Sequence, residues 1–153
     1  MNNRLIAPIL LLLILLTSCQ AAPPPPPTTA PPGDEFILRP RQSAAILGTT
    51  LTLKLIAVSG DERCPSEIEC AMSGPVTISI SIQKGENEPV EFILQAVTGN
   101  DGRAPQGPFE GIQDRMEYEG YLIQVKAVLP YPLNRSDKIE SSKYQVTLLV
   151  SGK

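Results

Sequence analysis

Histidine is absent from this 153-residue chain. Histidine is the usual general base near neutral pH and the commonest protein ligand for metal ions. Its absence excludes Ser-His-Asp and Cys-His arrangements for nucleophilic catalysis. Any catalysis would have to rest on other groups, chiefly carboxylates. We predict no catalytic residues, no metal site and no cofactor.

Aromatic side chains and clustered positive charge are also scarce. Tryptophan is missing and aromatic residues make up 5% of the chain, which weakens the case for carbohydrate-binding or paratope-like surfaces built on aromatic anchors. The 13 basic and 16 acidic residues are interspersed, with no basic stripe. Nucleic acid is therefore not an expected partner, and an anionic membrane surface would not attract the domain.

The N-terminus is typical of an exported protein. Arg4 provides one positive charge, and the run from Leu5 to Leu16 is apolar and broken only by Pro8. This run is shorter than the roughly 20 residues that a membrane-spanning helix needs. Together with its basic start and the small residues that follow, it predicts a cleaved signal peptide over residues 1–18.

Leu16-Thr17-Ser18-Cys19 resembles the lipobox of bacterial lipoproteins. The resemblance implies cleavage before Cys19 and a lipid thioether on it, and two or more acyl chains anchor a protein stably. It therefore predicts a domain on the exported side of the cell membrane or the outer membrane, with the membrane itself as partner. Gln20, rather than aspartate, follows the cysteine, and the family's sorting rule then favours the outer membrane in an organism with two. The alternative is an ordinary secretory signal, or a short membrane anchor, with an incidental cysteine.

Residues 19–35 are rich in proline and are predicted to be a linker. Pro23 to Pro27 is unbroken, and Pro31 and Pro32 follow. Because proline fixes its backbone angle and lacks an amide donor, the segment is expected to stay outside any helix or sheet. It is expected to form a polyproline II spacer reaching roughly 40–50 Å from the membrane.

The remainder, residues 36–153, is dominated by period-two alternation of apolar and polar side chains, which predicts half-buried strands. The clearest case is Val76, Ile78, Ile80 and Ile82 against Thr77, Ser79, Ser81 and Gln83. We predict strands at residues 36–38, 42–47, 49–58, 75–83, 89–97, 120–129 and 142–150, with no more than a turn at 115–118. The pattern favours an antiparallel β-sandwich of immunoglobulin-like or Greek-key type with about seven or eight strands.

Cys64 and Cys70, separated by five residues, are the only two cysteines close together. In an exported chain they are expected to form one intradomain disulfide, which leaves Cys19 for lipid. Closing so short a loop stabilises by roughly 2.4 kcal/mol in the chain-entropy model. The alternative is a redox-active pair, but redox motifs usually have two intervening residues, and here glutamates surround the thiols.

Carboxylates crowd the same loop. Asp61, Arg63, Glu67 and Glu69 form a candidate recognition loop. Calcium binding by the acidic groups, Glu62 included, is the alternative, although their spacing does not match an EF-hand. A second group, Asp114, Glu117 and Glu119, could serve glycoside hydrolysis only with opposed environments at a set separation, which nothing in the sequence indicates.

The pattern Asp61-x-Arg63-Cys64-Pro65, followed by Cys70 and Gly74, resembles a motif of small exported bacterial proteins. The similarity extends to Pro130-Tyr131-Pro132 and to Tyr144-x-Val146. The family has no established activity, so the resemblance implies an all-β, disulfide-containing domain and transfers no catalytic residue. In this chain Glu62 replaces the usual serine, and Ala71-Met72 replaces a more typical Val-Trp.

These observations predict a lipid-anchored, non-enzymatic module that binds a protein or another component of the cell envelope. The alternative is a protease inhibitor, or a periplasmic or extracellular ligand-binding domain, that uses the disulfide-braced loop. An enzyme that works with carboxylates is the third class.

Overall fold

The computed structural model describes residues 22–105, 107, 109–134 and 138–152. The predicted signal peptide, residues 1–18, and the predicted lipidation site, Cys19, lie outside the described residues. Within these ranges, no helix is long and apolar enough to cross a bilayer.

Nine strands form two sheets, which confirms the predicted all-β sandwich. The strands are β1 (Thr28–Ala30), β2 (Glu35–Leu38), β3 (Ser43–Ile46), β4 (Leu51–Asp61), β5 (Val76–Lys84), β6 (Val90–Ala96), β7 (Arg115–Tyr118), β8 (Tyr121–Leu129) and β9 (Gln145–Gly152). One sheet has the order β1-β3-β4-β5-β6 and the other the order β2-β9-β8-β7. All pairs are antiparallel except β1 with β3, which are parallel.

Alternation places the core as predicted. In β5 the four branched residues Val76, Ile78, Ile80 and Ile82 are all buried, and their neighbours are half-exposed. The alternating residues of β4 and β9 belong to the same hydrophobic core. Full burial of each such side chain stabilises by about 1.5–3 kcal/mol, so the pattern that predicts the strands also explains why the two sheets pack.

The two ends of the sandwich differ. We call one the loop end: it holds the last residues of β4 and β8, Asp61 and Leu129, and the first residues of β5 and β9, Val76 and Gln145. The connections from β4 to β5 and from β8 to β9 both leave and rejoin their sheets there. The opposite end, which we call the hairpin end, carries the short turns β5–β6 and β7–β8.

A tight turn in the connection after β6 also packs at the loop end. The amide of Gly102 donates to the carbonyl of Gly99 at 2.8 Å and closes a turn over Asn100 and Asp101. Gly102 has a φ of +76°, and a Cβ there would lie 2.5 Å from the Leu129 side chain. Only glycine meets both requirements without strain, so this turn is pinned against the end of β8.

Two predictions about segments are wrong. Arg115–Tyr118 was expected to form no more than a turn, but it is β7 and pairs with β8, which continues beyond it. The linker was expected to stay outside any sheet, but Thr28–Ala30 pairs with Ala44–Ile46 of β3 as an edge strand. These two short strands raise the count to nine, and the folded domain begins by Thr28 instead of Phe36.

The proline segment before β1 is also held by the domain. The Gln42 side-chain amide donates to the Pro26 carbonyl at 2.9 Å, and the Arg41 guanidinium donates to the carbonyl of Ala22. Proline carbonyls remain acceptors although the ring removes the donor. The segment expected to extend as a free spacer therefore lies along the domain from Ala22 onward.

Removing the linker should destabilise the domain. A chain that begins at Phe36 loses β1, exposes the core around Ala30, which is 1% exposed, and loses the bonds from the Leu47 amide to the Ala30 carbonyl and from the Gly33 amide to the Val150 carbonyl. At about 1 kcal/mol per net hydrogen bond, these two bonds alone contribute roughly 2 kcal/mol, and the β1–β3 pairing adds to this. We therefore expect a loss of at least roughly 2 kcal/mol in urea unfolding relative to a chain that begins at Ala22. Equal stability of the two chains would show that β1 is dispensable.

Candidate functional site

A buried arginine occupies the centre of the loop end. Arg63 is the second residue after the end of β4, and its side chain is 0% exposed. Its Nε donates to Asp61 Oδ1 at 2.8 Å, and its Nη2 donates to Asp61 Oδ2 at 2.6 Å. This bidentate geometry is the strongest form of a hydrogen-bonded ion pair.

The remaining guanidinium donors reach the end of β8 in the opposite sheet and the segment that follows β6. Nη1 donates to the Val128 carbonyl and Nη2 to the Pro130 carbonyl, both at 2.8 Å, and Nη1 also lies 3.5 Å from the Thr98 hydroxyl. An arginine has five N–H donors and no acceptor, so every donor has a partner. The side chain thereby joins the end of β4 to the end of β8.

Two tyrosines complete the cluster. The Arg63 Cζ lies 4.9 Å from the centroid of the Tyr131 ring, within the range of a cation–π contact. Tyr144, just before β9, donates its hydroxyl to Asp61 Oδ2 at 3.0 Å. We call Asp61, Arg63, Tyr131 and Tyr144 the arginine hub.

The hub shifts the pKa values of two of its members. Burial acts to raise the pKa of Asp61, but the hydrogen bonds and charge of Arg63, helped by the Tyr144 hydroxyl, outweigh it and hold that pKa below its usual value. Burial, followed by the charge of Asp61, raises the pKa of Tyr144 to about 12. Asp61 is thus a fixed anion and Tyr144 a fixed hydrogen-bond donor at neutral pH.

The cysteine loop, residues 64–74, docks on the segment after β8. Cys64 and Cys70 form the predicted disulfide, with Cα atoms 5.9 Å apart. The amides of Ser66 and Glu67 donate to the carbonyls of Pro132 and Leu133 at 3.0 and 2.9 Å, and the Tyr131 hydroxyl donates to the Cys64 carbonyl. The loop is therefore held in two ways: by its own disulfide and by hydrogen bonds to the segment that follows β8.

Close backbone packing joins the two ends of the connection between β4 and β5. The Gly74 amide donates to the Glu62 carbonyl, and the Glu62 amide donates to the Pro75 carbonyl. A Cβ on Gly74 would lie 2.6 Å from the Glu62 side chain and 2.8 Å from its carbonyl oxygen. This contact gives the glycine of the sequence motif a physical reason: no larger residue fits there.

The predicted recognition residues divide into two groups. Asp61 and Arg63 face inward and bind each other within the hub. Because the Arg63 side chain is buried, the expectation that it contacts a partner is corrected. Glu67 and Glu69 are exposed on the cysteine loop, where Met72 is also 87% exposed. The surface left for recognition is the loop's outer side.

An open cleft of about 470 Å³ lies beside the hub. Its lining includes Asp61, Arg63, Tyr144, Ser59, Lys138 and Ile139. Among the described residues, every buried side-chain nitrogen and oxygen atom has a hydrogen-bond partner. The buried polar groups of the cleft, Asp61, Arg63 and Tyr144, are therefore already paired with one another.

The second carboxylate group is dispersed. Asp114 binds Arg115 through Oδ1 and Oδ2 at 2.8 and 3.0 Å; burial acts to raise its pKa, and the Arg115 contacts outweigh this and lower it. Glu119 pairs instead with Lys84 at 3.3 Å, at the hairpin end. Within the described part of the chain, no group of three or more acidic or cysteine side chains could hold a metal ion.

Sequence reasoning missed the hub partners Tyr131 and Tyr144. Both lie in segments that the motif resemblance covers, Pro130-Tyr131-Pro132 and Tyr144-x-Val146. The shared presence of these tyrosines with Asp61-x-Arg63 was the available signal that they meet. The backbone carbonyls of Val128 and Pro130 could not have been predicted as partners of Arg63, because every residue has a carbonyl whatever its side chain.

Comparisons with known proteins add no family. No protein-family model, no curated protein and no solved structure matches the chain.

Removing the buried cation should unfold the loop end. We expect Arg63→Ala to lower the free energy of unfolding by about 3–5 kcal/mol, because Asp61 and two carbonyls lose their buried partner. Arg39→Ala is the matched control: Arg39 is exposed, and such surface changes usually stay within about 0.5 kcal/mol. Urea denaturation compares the two, and equal losses would contradict the hub's structural role.

Stability should also fall at alkaline pH because of Tyr144. Its pKa is about 12 in the folded protein and about 10 when unfolded, so the unfolded chain releases the proton first. The contribution is fully present below about pH 10 and falls by up to about 1.4 kcal/mol per pH unit as the pH rises towards 12. Urea denaturation between about pH 8 and 12 measures this slope. Tyr144→Phe should be less stable at pH 8 and have a shallower slope, and an unchanged slope would contradict the assignment.

Proposed function

We propose that this chain is a lipid-anchored, non-enzymatic module on the exported side of a cell membrane or outer membrane. The observation that carries the proposal is Leu16-Thr17-Ser18-Cys19, directly after a signal-like apolar run. The β-domain begins only nine residues after that cysteine, at Thr28. A domain that starts so soon after an acylated residue would be displayed at the membrane surface, since two or more acyl chains give stable anchoring.

The proposed contact surface of the module is the outer side of the cysteine loop, with the exposed Glu67, Glu69 and Met72. The disulfide, the backbone bonds to Pro132 and Leu133, and the hub beneath hold this surface in one shape. Prior ordering lowers the entropy that association costs. A rigid, exposed loop on an anchored domain supports binding to a component of the cell envelope.

Two features favour binding over catalysis. The chain has no histidine, and the polar groups with the clearest pKa shifts, Asp61 and Tyr144, bind one another and Arg63 inside the hub. A catalytic acid or base needs to reach a substrate with its proton-transfer atom. Asp61 and Tyr144 instead act as structural partners of a buried cation.

Membrane fractionation of cells that express the full chain tests the anchoring. The protein should sediment with membranes and resist extraction with high salt, whereas Cys19→Ala should appear in the soluble exported fraction with the same fold by circular dichroism. Cys70→Ala serves as the matched control, because it removes a cysteine that carries no lipid in the proposal. A Cys19→Ala protein that stays membrane-bound would refute the lipoprotein assignment.

A further inference from the structure

We infer that the loop end of the sandwich rests on the lipid surface to which the chain is anchored, so that the bilayer itself is the envelope component the cysteine loop contacts. This inference rests on the proposed lipid anchor at Cys19. It adds an orientation, a contact surface and a partner to that anchor.

The direction of β1 carries the argument. β1 runs parallel to β3, and β3 runs antiparallel to β4, so β1 and β4 run in opposite directions. Going backwards along β1, towards the N-terminus, therefore leads in the direction in which β4 runs, towards Asp61 at the loop end. The chain that leads back from Thr28 to the anchor runs towards the cysteine loop and away from the hairpin turns.

The proline segment keeps this direction. Gln42 lies two residues before Ala44, the β3 partner of Thr28, and it binds Pro26, which lies two residues before Thr28. The parallel register thus continues to Pro26, and the Arg41 side chain reaches on to the carbonyl of Ala22. Six residues at about 3.1 Å each bring the segment roughly 19 Å closer to the loop end.

Little chain is left to turn the domain around. Only three peptide units separate Cys19 from Ala22, and three units span at most about 11 Å. β4, with 11 residues, is roughly 36 Å long. A tether that leaves the domain near the loop end and is this short cannot place the hairpin end on the membrane while the segment stays docked.

The chemistry of the loop end fits a neutral lipid surface. Met72, Leu133 and Leu129 are 87%, 54% and 41% exposed there, and apolar side chains of this kind partition into the interface between headgroups and acyl chains. Exposed apolar residues alone do not single out the loop end, because Leu47 and Val90 are exposed elsewhere on the domain. The position of the tether is what selects the loop end. Exposed carboxylates such as Glu67 and Glu69 share the loop end with cations such as Arg39, Lys138 and Lys143. This mixture gives no net attraction to anionic lipid, so we assign a zwitterionic surface.

Single tryptophan reporters test the orientation, because the chain has no tryptophan of its own. The full lipidated protein, carrying Met72→Trp at the loop end or Asn87→Trp in the β5–β6 turn at the hairpin end, is placed in zwitterionic vesicles that contain a headgroup-labelled quenching lipid. Both positions are exposed in the native fold. We expect quenching several-fold stronger at position 72, and equal or reversed quenching would overturn the inference.

Two further measurements separate the causes of a negative result. Vesicle flotation reports the anchor: a protein that does not float refutes the proposed function, whereas one that floats with equal quenching refutes the orientation alone. Arg41→Gly should reduce the difference between the two reporters by loosening the docked segment, and glycine suits the φ of +69° at this position. If position 72 is quenched only in vesicles that also contain envelope membrane proteins, the lipid surface is overturned as the partner in favour of a membrane protein.

Discussion

A single buried cation governs how the two sheets meet at one end. Taking a guanidinium out of water costs several kcal/mol unless its charge and all its donors find partners. Arg63 finds them in Asp61 beside it and in carbonyls at the end of β8. The two carbonyls, of Val128 and Pro130, lie 65 and 67 residues from Arg63 in the chain, so they meet the guanidinium only when the sandwich has closed. The charge and hydrogen-bond donors of Arg63 therefore find all their partners only when the whole loop end is folded. We expect the loops at this end to fold and unfold together.

The shape of the cysteine loop follows from this arrangement more than from its disulfide. The bridge closes a short loop, but the loop's position over the segment after β8 is set by the amides of Ser66 and Glu67 and by the Tyr131 hydroxyl. The Tyr131 ring in turn lies against the Arg63 guanidinium. The proposed contact surface is thus supported by the hub, and Asp61 and Arg63 shape it from beneath.

The sequence was sufficient where a segment was long and alternating, as in β5 with its four buried branched residues. It failed at β7, because Arg115 to Tyr118 is too short to show a period and is a strand only through its pairing with β8. The charged residues around the two cysteines also suggested a recognition role for Arg63. The sequence alone does not tell whether an arginine among carboxylates lies on the surface or is buried in an ion pair. Burial decides between these, and here burial depends on carbonyl acceptors from the opposite sheet, which leave no trace in the side-chain pattern.

Backbone carbonyl acceptors also hold the proline segment, residues 22–27, against the domain. Prolines cannot donate to a ladder, which made a free spacer the natural prediction, yet their carbonyls accept bonds from Gln42 and Arg41. A three-residue strand between Pro27 and Pro31 also makes a poor template for pairing with another chain. The segment therefore blunts the edge of the five-stranded sheet. Because the edge is covered only when the segment is docked, protection of the sheet and the proposed closeness to the membrane depend on the same docked state. The free spacer that composition predicts would lose both together.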